Sequence, residues 1–205
     1  MLERFRRNEL TKLKVSFDKD YEEYLNANFG VRDAIRTSKL LPKWGHCLPT
    51  PDIVERIVGW YKQAAVVNPQ VKIYDVGCGT GMLLVMLYLA GVPYEALVGV
   101  DLPRGIRDAS EPRYWKVIEN RNYEVPKEDI LLISFGEQLN HAAKRYVAYG
   151  GDKVILIGSK SGSGCFQQPP VDIFQGRPEW SVESHMLPVN EVHGKYHNYI
   201  TYNTR

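Results

Sequence analysis

The segment Lys72-Ile73-Tyr74-Asp75-Val76-Gly77-Cys78-Gly79-Thr80-Gly81-Met82-Leu83 restricts the fold of this chain more than any other. A short apolar, β-rich run ends in an aspartate, and glycines follow at alternate positions. The stretch MLLVMLYLA then has the length and composition of a buried helix. Strand, glycine turn and helix in that order form the crevice where open α/β sheets bind nucleotide-like ligands, because residues without Cβ let another group approach the backbone. The spacing narrows the ligand. The dinucleotide fingerprint G-x-G-x-x-G wants glycine where Met82 stands, and no G-x-x-x-x-G-K-[ST] occurs. Phosphate binding is therefore disfavoured, and a nicotinamide-dependent oxidoreductase is a minor alternative.

The alternation continues downstream. ALVGVD, DILLISF and DKVILIGS read as strands and GEQLNHAAKRYVAYG as a helix, which together predict a mostly parallel, doubly wound sheet. Beyond Cys165 the pattern changes: WSVESHMLPV and KYHNYITYN read as two strands with no helix between them, and a C-terminal antiparallel hairpin is expected to close the sheet edge. Upstream, Thr50 suits an N-cap and Pro51 the first helical position, with Ile53, Ile57, Val58 and Tyr61 recurring at helical spacing. Residues 1–41 are expected to form an N-terminal helical extension, broken near Gly30, and residues 42–205 the ligand-binding domain. The Pro/Gly/Ser-rich stretch around 158–178 is expected to be a loop.

At 205 residues the chain fits one α/β domain with additions, and 44% apolar with 24% charged residues argues against disordered, collagenous and membrane classes. A net charge of +2 gives no wholesale attraction to polyanions. The three cysteines, Cys47, Cys78 and Cys165, contain no CxxC pair, so neither a zinc site nor a disulfide framework is expected. The start MLERFRRNELTKLKV lacks the apolar core of a secretory signal, and no run of about 18 apolar residues occurs. A cytoplasmic or other reducing intracellular compartment, without membrane insertion, is the expectation.

The run D-x-G-x-G-x-G, with the strand order around it, resembles the first motif of the class I S-adenosylmethionine-dependent methyltransferases. The resemblance implies a Rossmann-like fold and S-adenosyl-L-methionine as cofactor. Asp75 would anchor the cofactor's amino-acid end, directly or through water, while Gly77, Gly79 and Gly81 would let the backbone lie against its methionine and sugar portions. Asp101 ends the second strand about 20 residues after the glycine turn, where an acid can accept both ribose hydroxyl protons. Ser134, at the exit of the ILLIS strand, joins this cofactor-binding set. A narrower resemblance runs through residues 42–205, in WGHCLPT, DVGCGTG, ILLISF and YVAYGGDKVILIGSKSGSGC, to a poorly characterised methyltransferase-like group. That group carries Ser/Cys-Trp-Pro-Pro after the fourth strand and Gly-Glu after the fifth. Here Phe135-Gly136-Glu137 and Gly158-Ser159 stand instead. The Asn/Asp-Pro-Pro-Tyr motif of nucleic-acid amino-methyltransferases is absent, as is the Lys-Asp-Lys-Glu tetrad of ribose 2′-O-methyltransferases.

Methyl transfer from a sulfonium is an in-line displacement, so the protein must mainly position the acceptor and, for weak nucleophiles, remove a proton. The backbone of Ser134 and Phe135 is expected to position the acceptor, with Glu137 as catalytic base; the competing reading of Glu137 is an acid at a helix N-terminus. By the resemblance, the segment of Trp44, His46 and Cys47 would fold over the methionine end; the competing reading is a purely structural role. Cys165 receives no role. The basic residues Arg4, Arg6, Arg7, Lys12 and Lys14 can hold a phosphate backbone, but Glu3 and Glu9 among them favour a solvated helix face. Tyr196, Tyr199 and Tyr202 recur at a spacing that forms no single stacking platform. Nucleic acid is therefore the minority acceptor. The leading expectation is a methyltransferase of unknown acceptor, small molecule or macromolecule. The alternative is a catalytically silent scaffold of the same fold.

Overall fold

The computed structural model describes residues 51–102, 115–120, 122–134, 140–159, 174, 178–186 and 198–205. The expected helical extension and Thr50 lie outside them. In chain order the elements are α1 (Pro51–Val67), β1 (Ile73–Val76), α2 (Met82–Leu89), a 3-10 turn (Tyr94–Ala96), β2 (Leu97–Asp101), β3 (Val117–Glu119), β4 (Ile130–Ser134), α3 (Asn140–Ala148), β5 (Lys153–Ser159), β6 (Ser181–Met186) and β7 (Asn198–Thr204). The strands form one seven-stranded sheet in the order β3-β2-β1-β4-β5-β7-β6.

β1 pairs in parallel with both β2 and β4, β2 with β3, and β4 with β5. β7 runs antiparallel between β5 and β6, so the expected C-terminal hairpin is present at the sheet edge. β3 is an addition to the sequence expectation. Its three residues are exposed or half-buried, and such a short segment has no apolar run to announce it.

Strand periodicity divides the core between the two faces of the sheet. Ile73, Ile130, Leu132, Ile155, Ile157 and Ile200 join the cluster formed with α1 and α2. Leu131, Ile133, Val154 and Leu156 face the other way, with Ala143, Tyr146 and Val147 of α3. The residues at helical spacing in α1, Ile53, Ile57, Val58 and Tyr61, are all buried. α2 is apolar all round, and Met82 to Leu87 are all buried, as a helix without a polar face requires. α3 is pinned from below: the Tyr146 hydroxyl donates to the Asp129 carbonyl at 2.5 Å and accepts the Lys153 N–H at 3.3 Å. Among the described residues, no helix is long and apolar enough to cross a membrane.

The chain lays β2 and β3 on one side of β1, then crosses to lay β4 and β5 on the other. The carboxyl ends of β1 and β4 therefore flank the reversal of strand order, the place where open α/β sheets hold ligands.

Candidate functional site

The glycine loop leaves the carboxyl end of β1 and is tied at once to β2. The N–H groups of Gly77 and Cys78 donate to the Val100 carbonyl at 2.8 and 3.2 Å. Gly79 N–H donates to Asp101 Oδ2 at 2.7 Å, and Leu102 N–H to Asp101 Oδ1 at 2.7 Å. Asp101 is thus an anchor of the loop as well as the expected ribose acid.

Gly77, Gly79 and Gly81 have φ of 82°, 58° and 78°, the left-handed region that side chains rarely adopt. Gly81 N–H closes the loop on the Cys78 carbonyl at 2.9 Å, and Gly81 is the residue that caps α2. A Cβ added at Gly81 would stand 2.5 Å from Trp115 Cβ and 3.2 Å from the Trp115 backbone nitrogen. The group that comes closest to Gly81 is therefore this chain's own tryptophan. Trp115 is buried and packs its ring 4.8 Å from Tyr94 and 6.2 Å from Tyr88, centroid to centroid. This aromatic cluster holds the start of α2 and the approach to β3 together. Sequence reasoning missed Trp115, because its contact is long-range and no periodic pattern leads to it.

Asp75 occupies the third position of β1, with Gly99 of β2 and Leu132 of β4 as its register partners. It is 1% exposed, and no donor among the described residues reaches either carboxylate oxygen. Burying an ionised carboxylate without donors costs several kcal/mol, and buried polar groups are nearly always satisfied. Burial first, and the negative charge of Asp101 second, push its pKa from the ordinary 3.8 up to about 7. Asp101, 6% exposed, is its acidic neighbour across the strands.

Five of the expected site residues, Asp75, Gly77, Gly79, Gly81 and Asp101, therefore come together where β1 and β2 end. Ser134 ends β4 on the other side of β1 and is half-buried, paired in register with Ile157. Glu137, Phe135, Trp44, His46, Cys47, Cys165 and the basic residues before 15 lie outside the described residues. Cys78 is buried inside the loop. Among the described residues, no group of acids, histidines and cysteines is arranged to hold a metal ion.

No protein-family model and no curated protein sequence matches the chain. Solved structures do resemble it. Magnesium protoporphyrin IX methyltransferase (ChlM) from Synechocystis PCC 6803 with bound SAM aligns at TM-score 0.50 and 15% identity, over 89% of this chain and 94% of that one. Cofactor-bound Rv0187 from MTB aligns at TM-score 0.51 and 9% identity, over 90% of this chain and 96% of that one. Identities this low carry the architecture alone.

Proposed function

Because the chain has the Rossmann-like fold of class I S-adenosylmethionine-dependent methyltransferases, we propose that it binds S-adenosyl-L-methionine at the carboxyl ends of β1 and β2 and transfers the methyl group to an acceptor. The observation that carries this reading is Asp75, a buried carboxylate with two acceptor oxygens that no described donor satisfies, beside a glycine loop at the reversal of strand order. Such a group fits the ammonium of the cofactor's amino-acid end, a cation with three donors. The loop backbone, free of Cβ atoms at Gly77 and Gly79, would let the methionine and sugar portions approach, while Gly81 makes way for Trp115. Asp101 would hold the ribose while keeping Gly79 in place, so one carboxylate links ligand geometry to loop geometry.

When bound, the sulfonium supplies a methyl group on an already activated leaving group. What remains for the protein is alignment and, for a weakly nucleophilic acceptor, proton removal. Ser134 stands at the exit of β4 on the acceptor side, and Glu137, three residues further on, is the base this reading assigns. The acceptor is a small molecule or a macromolecule, with nucleic acid the less favoured class. We assign cofactor binding to residues 42–205 and a separate helical extension to residues 1–41. A cytoplasmic or other reducing compartment suits three cysteines that contain no CxxC pair.

Thermal unfolding with two ligands tests the reading. S-adenosylhomocysteine at a hundredfold excess over its Kd stabilises by about 2.7 kcal/mol, which raises Tm by roughly 5–10 °C in a domain of this size, and NAD leaves Tm unchanged. Stabilisation by NAD alone would assign the crevice to a nicotinamide cofactor instead.

A further inference from the structure

We propose that Asp75 releases a proton to solvent when a ligand that carries an ammonium group binds. The proposal rests on the reading of this crevice as an S-adenosylmethionine site and goes beyond it to how binding responds to pH.

The geometry leaves Asp75 two states. Its carboxyl group is 1% exposed, and no described donor reaches either oxygen. The charge acting on it is that of Asp101, which is itself turned to the N–H groups of Gly79 and Leu102. β4 (Ile130–Ser134) and α2 (Met82–Leu89) contain no acid, lysine, arginine or histidine. α1 carries Asp52, Glu55, Arg56 and Lys62, all at least partly exposed, and Arg56 is paired with Asp52 at 3.2 Å. No cation among the described residues offsets Asp75, so the group is comfortable only when protonated or when a ligand brings a cation to it.

Proton balance follows from these states. Below neutrality the ligand-free site holds a carboxylic acid, and a ligand ammonium arrives charged. Forming the carboxylate–ammonium pair breaks the carboxyl O–H bond and sends one proton to solvent. As pH rises through 7 the acid is already ionised, and the ligand's amine, beside a carboxylate and not an amide, still arrives charged above the peptide-terminus pKa of about 8. Proton release therefore fades between pH 6 and pH 8.

A ligand without the amino-acid end leaves Asp75 protonated. 5′-Methylthioadenosine has the nucleoside and thioether but no ammonium, so its binding is proton-neutral at pH 6 and it competes poorly at pH 8, where Asp75 is ionised and would stay unpaired.

The test is calorimetric titration of the full chain at pH 6 in buffers of different ionisation enthalpy. With the Asp75 pKa near 7, S-adenosylhomocysteine should release about 0.9 proton per site, and its Kd should weaken about fivefold from pH 7 to pH 6. 5′-Methylthioadenosine should release none, and Asp75→Asn should bind S-adenosylhomocysteine more weakly and without proton release. Binding of S-adenosylhomocysteine by the wild type with no proton release at pH 6 overturns the proposal and leaves the cofactor reading intact. Equal proton release by Asp75→Asn overturns the assignment to Asp75. No binding of S-adenosylhomocysteine by the folded wild type removes the cofactor reading and the proposal together.

Discussion

Replacing Gly81 by alanine separates the two reasons a glycine can be required at this turn. Its φ of 78° puts a side chain in the left-handed region, at a cost of roughly 1–2 kcal/mol. The new Cβ would also stand 2.5 Å from Trp115 Cβ, an atom fixed to the backbone that cannot swing aside, so the start of α2 and the approach to β3 must separate. Overpacking of this kind costs about 1–3 kcal/mol more, giving roughly 1–4.6 kcal/mol once the roughly 0.4–1 kcal/mol returned by a stiffer unfolded chain is taken off. Gly91 is the matched control: its φ is 99°, yet an added Cβ meets nothing within 4 Å. Gly91→Ala therefore bears conformational strain alone, about 1–2 kcal/mol, less the roughly 0.4–1 kcal/mol returned by a stiffer unfolded chain. Urea unfolding followed by far-UV circular dichroism measures both. At a slope of about 2 kcal/mol per molar urea, Gly81→Ala lowers the midpoint by roughly 0.5–2.3 M, which is about 0.5–1.5 M more than Gly91→Ala does. Equal midpoints for the two variants would show that Trp115 does not press on the loop, and the argument for a clamped turn would be wrong.

Asp75→Asn should flatten the pH dependence of stability in the ligand-free protein. The folded pKa, raised from 3.8 to about 7, makes the native state hold more protons than the unfolded state between those values, so this group's favourable contribution is complete below pH 4 and lost as pH rises through 7. The wild type should lose about 4 kcal/mol more than the variant between pH 4 and pH 8, seen in urea midpoints across that range; parallel curves would place the Asp75 pKa at its ordinary value. Glu137→Gln, once an acceptor is in hand, should lower kcat by about 10²-fold or more while leaving Kd for S-adenosylhomocysteine within twofold; unchanged kcat would discard the base role.

Much of the fold was legible because its signals are local. The strand that carries Asp75, the alternating glycines and the apolar run from Met82 to Leu89 each identify their own conformation, and their order fixes where the ligand crevice falls. The acid ending β2 was legible for the same reason, but only as a ligand group. Its second task, holding Gly79 N–H at 2.7 Å, depends on the turn folding back over β2, which no spacing encodes. Trp115 was invisible for a related cause: its partner Gly81 lies far away along the chain, with α2 and β2 between them, so no local pattern suggests the contact. β3 is too short and too exposed for a pattern to declare it. The orphaned state of Asp75 also emerged only in three dimensions, since sequence shows an acid after apolar residues but not whether a donor reaches it.

Calorimetric titration of the purified protein with S-adenosylmethionine and S-adenosylhomocysteine, beside an Asp101→Ala variant shown to be folded by circular dichroism, bears most directly on the central claim. Saturable binding at one site per chain, lost or weakened at least a hundredfold in the variant, is the predicted result. Absence of binding by the folded wild-type protein would contradict it, and would leave the glycine turn as part of a scaffold without cofactor chemistry.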